Sequence, residues 1–261
     1  LPSTYQTTIM STMSDLDFKA RVPVFDANIG VGHRHDRPSP FADATELRAE
    51  MDRHGVDRAL VYHLQGESIS AVEGNEALAG WCDEALVPQY VANSTSETLA
   101  QLRQYHATTP LTSLRLHHTE ENRLPFVDWI FGDLLEWLTS ERIPLWISLA
   151  DTPLTEIADA LRAFPGLQTV LLGAHYTHTL ALRPLLDLLP DAHLELSRYE
   201  NLGAVEALIA AYGAKRFLYG SFYPRLAMGP MLYYLHHIGL DDDALRAVCS
   251  GNLQRLLGEQ S

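Results

Sequence analysis

Twelve histidines are spread through the 261 residues, and their placement is uneven. His33, His35, His63, His117, His118, His175 and His178 stand at or just past the ends of short apolar runs, whereas His54, His106, His193, His236 and His237 do not. An imidazole exchanges a proton near neutral pH and ligates metal when neutral, so such a group suits acid–base work or metal binding. Side chains alternate along a strand. If Asn28 faces inward, so do Asp26 and Gly30, and the same reasoning pairs Arg115 with His117, Trp146 with Ser148 and Glu195 with Ser197. It also sets His63, His175 and Phe222 at the same mouth. His63, His117 and His175 are thus the candidate proton carriers. Arg115 is expected to pair with Glu195, and Arg115 or Arg198 to grip a carboxylate, which a guanidinium binds with two parallel hydrogen bonds. Asn28, Ser148 and Phe222 complete the expected binding surface. His33 and His35 form a His-x-His, but beyond Gly32 and just before Pro38 and Pro40, where an exposed loop fits better. A zinc site regrouped from His33, His35, His63, His117 and His175 is the metal-dependent alternative, since neutral imidazoles suit zinc. Asp26, Asp36 and Glu195 are the carboxylates available as its base.

The elements that must hold these residues are eight short apolar runs separated by amphipathic stretches: 22–28, 58–63, 86–92, 113–118, 144–149, 169–174, 193–197 and 216–221. Most are apolar almost throughout, the pattern of parallel strands buried on both faces. Helical spacing is expected over 43–54, 126–140, 153–164, 180–189, 202–212, 227–238 and 241–257. Gly55 ends the first of these as a C-cap residue, and Asp151-Thr152 reads as an N-cap for the stretch from 153. Eight strand–helix units in this length predict an α/β fold, a (β/α)₈ TIM barrel with its site at the C-terminal ends of the strands. The prediction is a single domain over 22–261, with an N-terminal tail over 1–21 and an extra helix at the C-terminus. No Gly-x-Gly-x-x-Gly follows the first run, which argues against a dinucleotide-binding open sheet.

Composition excludes some functions. A formal net charge of -14 is wrong for nucleic acid or an anionic membrane surface. Cys82 and Cys249 have no metal-ligand spacing and are expected as free thiols in a reducing cytoplasm. The expected partner is a small-molecule substrate carrying a carboxylate, and Met228, Met231, Tyr233 and Tyr234 offer a helix face for a homodimer.

Three stretches also resemble one family. Phe25-Asp26-Ala27-Asn28-Ile29-Gly30 is similar to an Asp-Ala-His-x-His strand, Gly220–Pro224 to a Gly-Ser-Asp-x-Pro strand end, and Gly251–Gly258 to a closing Gly-Asn-Ala-x-Arg-Leu-Leu helix. Together they make residues 22–258 resemble the amidohydrolase-related proteins, metal-dependent hydrolases and decarboxylases on a (β/α)₈ barrel. In that family, two first-strand histidines, one at the end of each of strands five and six, and an aspartate ending strand eight bind the metal. The matching positions here are Asn28, Gly30, Ser148, His175 and Phe222. The resemblance therefore implies a hydrolase or lyase whose metal centre does not carry over. A metal-free acid–base enzyme and a catalytically inactive barrel, kept as a binding or assembly module, both satisfy it.

Overall fold

The apolar runs form the staves of a closed parallel barrel. The computed structural model describes residues 18–33, 38–119 and 123–259, so His35 and the first 17 residues of the expected tail lie outside the described residues. The strands are β1 (Phe25–Val31), β2 (Arg58–His63), β3 (Leu86–Pro88), β4 (Tyr90–Ala92), β5 (Leu114–Leu116), β6 (Leu145–Ser148), β7 (Thr169–Leu172), β8 (Ala192–Glu195) and β9 (Phe217–Leu218). β3 and β4 are two halves of one stave interrupted at Gln89, whose amide still donates to Val61 O at 2.8 Å. Every pairing from β1 to β3 and from β4 to β9 is parallel. The ring closes where Ala27 N donates to Tyr219 O at 3.1 Å and Gly30 N to Tyr223 O at 2.8 Å.

Around the barrel run α1 (Ala44–His54), α2 (Leu64–Ser68), α3 (Ala71–Leu78), α4 (Ser96–Thr108), α5 (Asp128–Glu141), α6 (Leu154–Ala163), α7 (Thr179–Leu188), α8 (Ala204–Tyr212) and α9 (Gly229–Leu235). Local chemistry sets the bounds of α1. The Asp43 carboxylate accepts from the Thr45 and Glu46 amides, and Gly55 stops the helix in the left-handed region at φ 71°. The expected C-terminal helix is delivered as α10 (Asp242–Arg246), a π turn over Ala247–Gly251 and α11 (Asn252–Leu256). α2, α3 and α4 have no counterpart among the sequence expectations.

Two apolar layers result. Phe25, Leu60, Trp146, Val170, Leu172 and Leu218 fill the barrel, and Leu253, Leu256 and Leu257 close its N-terminal end. A larger layer packs between strands and helices. Met228 and Met231 belong to it, so of the proposed dimer stripe Tyr233 is the exposed member. Residues at the end of the predicted tail also pack down: Phe18 meets the Tyr233 and His236 rings edge-on, and Arg21 hydrogen-bonds His236.

Candidate functional site

β1 brings the first polar residues to the C-terminal mouth. Its register against β2 shifts between Asp26 and Ile29, so simple alternation fails there. Asp26 Oδ1 turns to the Asn28 and Ser221 amides at 2.9 Å each. Asn28 reaches across the mouth instead. Its Oδ1 accepts from Arg115 Nη1 at 3.2 Å, and its Nδ2 donates to Glu195 Oε2 at 3.1 Å. The expected Arg115–Glu195 ion pair is therefore corrected: an amide separates the two charges.

The carboxylate that holds Arg115 is Glu67, from the first turn after β2. Arg115 Nε meets Glu67 Oε1 at 2.6 Å, and Arg225 Nη2 meets Oε2 at 2.8 Å. The Arg115 guanidinium also lies over the Tyr62 ring, 3.7 Å from its centroid. His118 Nε2 is 3.3 Å from both Glu67 Oε1 and Asp151 Oδ2, and Asp151 in turn accepts from Ser148 Oγ at 2.6 Å. Burial alone would raise the Glu67 carboxyl, but Arg115, Arg225 and His118 override it and hold it well below the usual range. Burial would likewise lower His118; Glu67 and Asp151 reverse that and favour the imidazolium.

Glu195 has no such cation among the described residues. Its Oε1 accepts from Ser197 N at 2.6 Å and its Oε2 from Ser197 Oγ at 2.9 Å. Burial pushes it up to about 7, with the nearby Asp26 charge adding to the shift. Asp26 is itself pushed by burial to about 6. Gly220 is needed beside them, because a Cβ there would come within 2.4 Å of Glu195 Oε1.

The candidate histidines divide. His117 continues the β5 face that carries Arg115, and its Nδ1 lies 2.9 Å from Gly66 O. A carbonyl only accepts, so Nδ1 carries a proton, and whenever the ring is neutral its lone pair is on Nε2. His63 is not on the inner face. Leu60 fills the barrel and Tyr62 lies under Arg115, which turns His63 to the other side, against Gly32. Burial, helped by His33, lowers its basicity. His175 sits half-buried at the rim, 4.0 Å from the Tyr176 ring. Phe222, with φ 58°, lies between guanidinium groups, Arg225 at 4.9 Å and Arg198 at 6.0 Å from its ring. Arg115, Asn28, Glu195 and Ser197 are thus one connected group, whereas His63, His175 and Arg198 stand apart from it. Glu67 and Arg225 are the members that spacing did not reveal.

No protein family and no curated protein matches the sequence, but solved structures do. A 5-carboxyvanillate decarboxylase from Novosphingobium aromaticivorans, solved with manganese and 4-hydroxy-3-methoxy-5-nitrobenzoic acid, aligns over 93% of this chain and 99% of its own, with TM-score 0.72 and 12% identity. An amidohydrolase from Burkholderia multivorans aligns over 92% and 100%, with TM-score 0.70 and 16% identity. A 4-oxalomesaconate hydratase from Rhodopseudomonas palustris covers 90% and 95%, with TM-score 0.66 and 13% identity. The fold is a TIM barrel. Its structural neighbours include two proteins named as amidohydrolases.

Divalent metal is the group this fold brings to mind, and the described residues do not suit it. They contain no group of three or more His, Cys, Asp or Glu side chains able to hold an ion, the number a zinc-type site requires. Asn28, at the position matched to a ligand, already bridges a guanidinium and a carboxyl. No helix among the described residues is long and apolar enough to cross a membrane.

Proposed function

We propose that the chain is an amidohydrolase-like hydrolase or lyase for a small carboxylated molecule, working at the C-terminal mouth without a metal-activated water. One observation carries this reading. Arg115 is 1% exposed, and its Nη2 has no hydrogen-bond partner among the described residues. A buried guanidinium nitrogen left open calls for an acceptor, and a substrate carboxylate supplies one with a matching charge. Two residues along the same strand face, His117 Nε2 can take or return a proton beside the bound anion. Glu195, joined to Arg115 through Asn28, is the second proton carrier of the group, poised near neutrality. His63 and His175 stand outside this arrangement, and Arg198 and Arg225 around Phe222 form a further cationic rim. The decarboxylase and hydratase among the structural neighbours fit such chemistry.

The burial of the same group favours a second reading, a barrel that binds or assembles without turnover, because Asp26, Asn28 and Glu195 are each fully enclosed. The deciding experiment assays EDTA-treated protein against hydroxybenzoates, unsaturated dicarboxylates and their amides. Turnover of a carboxylate is expected to survive EDTA and to fall about 100-fold or more in His117→Ala. Turnover that appears only on adding zinc or manganese would sink the metal-free reading, and none at all would favour the binding module.

A further inference from the structure

Past β8 and β9, the loops after the last two staves and helix α9 line a partly open cavity of about 390 Å³. Tyr199, Leu202, Leu226, Met231 and Tyr234 are the large apolar and aromatic residues of its wall. The Tyr234 hydroxyl is drawn away to Glu206 Oε2 at 2.7 Å, which leaves its ring to the wall. Ser197, 4% exposed, supplies the polar end. Its hydroxyl donates to Glu195 Oε2 at 2.9 Å, so the oxygen keeps lone pairs for an incoming donor. Glu200 also lines the space, while no Lys, Arg or His does among the described residues. Arg198, next to Ser197 in the chain, is turned to the Phe222 ring.

We propose that this cavity is a binding site for an uncharged apolar molecule bearing one hydroxyl, which it donates to Ser197 Oγ while its body lies against the Tyr199 and Tyr234 rings. The volume is in the range of small-molecule pockets, whose walls are mainly apolar with a few placed polar groups. A carboxylate would meet Glu200 and the Glu195-backed hydroxyl with no cation to offset the repulsion. The cavity therefore differs in ligand chemistry from the Arg115 group, and the two meet only through Ser197, whose hydroxyl holds Glu195.

Calorimetric titration of the whole chain with 4-methylphenol, toluene and 4-methylbenzoate tests the assignment. The phenol should bind saturably, with toluene weaker by about threefold or more for the lost hydrogen bond, and the benzoate weaker by about tenfold or more. Ala227→Trp, at an exposed lining position, should fill the space and cost about tenfold in phenol affinity without changing thermal unfolding. Ser197→Ala should erase the difference between the phenol and toluene. Absence of saturable phenol binding, phenol binding indifferent to Ala227→Trp, or a benzoate that binds as well as the phenol would each overturn the proposal. Failure here leaves the Arg115 reading standing, because that one is read by turnover.

Discussion

Glu67 and Glu195 are both fully buried at the same barrel mouth, yet they are pushed in opposite directions. Desolvation disfavours the charge of each. Glu67 overcomes it with two guanidinium groups and an imidazole, whereas Glu195 receives only neutral donors from Ser197 and Asn28 and feels Asp26 nearby. One half of the mouth is therefore a locked ion cluster and the other half holds exchangeable protons. Asn28 touches both, and as a neutral amide it couples them by hydrogen bonds without letting Arg115 neutralise Glu195.

Breaking the locked half should have the largest effect. Arg115→Met leaves Glu67 short of one of its two arginines and Asn28 Oδ1 without its donor. Removing one partner of a buried ion cluster costs about 3–5 kcal/mol, which urea unfolding at neutral pH would measure. A loss below about 1 kcal/mol would mean that Arg225 and His118 suffice to hold Glu67 without Arg115.

The other half should appear as a pH dependence. Glu195 moves from 4.5 to about 7 on folding and Asp26 from 3.8 to about 6. Groups with raised folded values bind more protons in the folded chain, so their contribution is full below the unfolded values and is lost as pH rises through the folded ones. Glu67 has the reverse sign: its contribution is present above its unfolded value and disappears only as acid titrates its depressed folded value. Between pH 4.5 and 7, stability should therefore fall with rising pH, by about 3 kcal/mol for Glu195 alone. Glu195→Gln should flatten that slope in urea unfolding series across this range. An unchanged slope would show that Glu195 is not the group titrating.

The frame that carries this contrast was open to reading in the chain, but the contrast itself, expected as an Arg115–Glu195 pair, was hidden for physical reasons. Continuous apolar runs such as Thr169–Leu172 announce doubly covered parallel strands, and period-two alternation was enough to place Arg115, His117, Glu195 and Ser197 on one surface. Alternation failed at β1, where the register shift turns Asp26 to the neighbouring strand end, and at β2, where Tyr62 rather than His63 faces inward. Glu67 was invisible because α2 is only five residues long, too short to show a period. Its position depends on a close crossing of helices, in which a Cβ on Gly74 would come within 2.4 Å of Gly66 Cα. Arg225 lies 158 positions from Glu67, so only the closed ring brings them together.

Asn28→Leu sharpens the comparison most finely, because it removes the bridge and leaves both carboxylates in place. Arg115 Nη1 would lose its acceptor while Nε keeps Glu67, and Glu195 Oε2 would lose one of two donors while Ser197 Oγ remains. One buried donor left open costs about 2 kcal/mol, less than either change above and measurable as a shift in the urea midpoint. The informative part is the titration. The Asn28 hydrogen bond helps to lower Glu195, so its loss should carry the falling limb of the stability profile to higher pH while leaving the acid limb set by Glu67 where it was. Were both limbs to move together, the two halves of the mouth would be one electrostatic unit, and Asn28 would be packing rather than a divider between them.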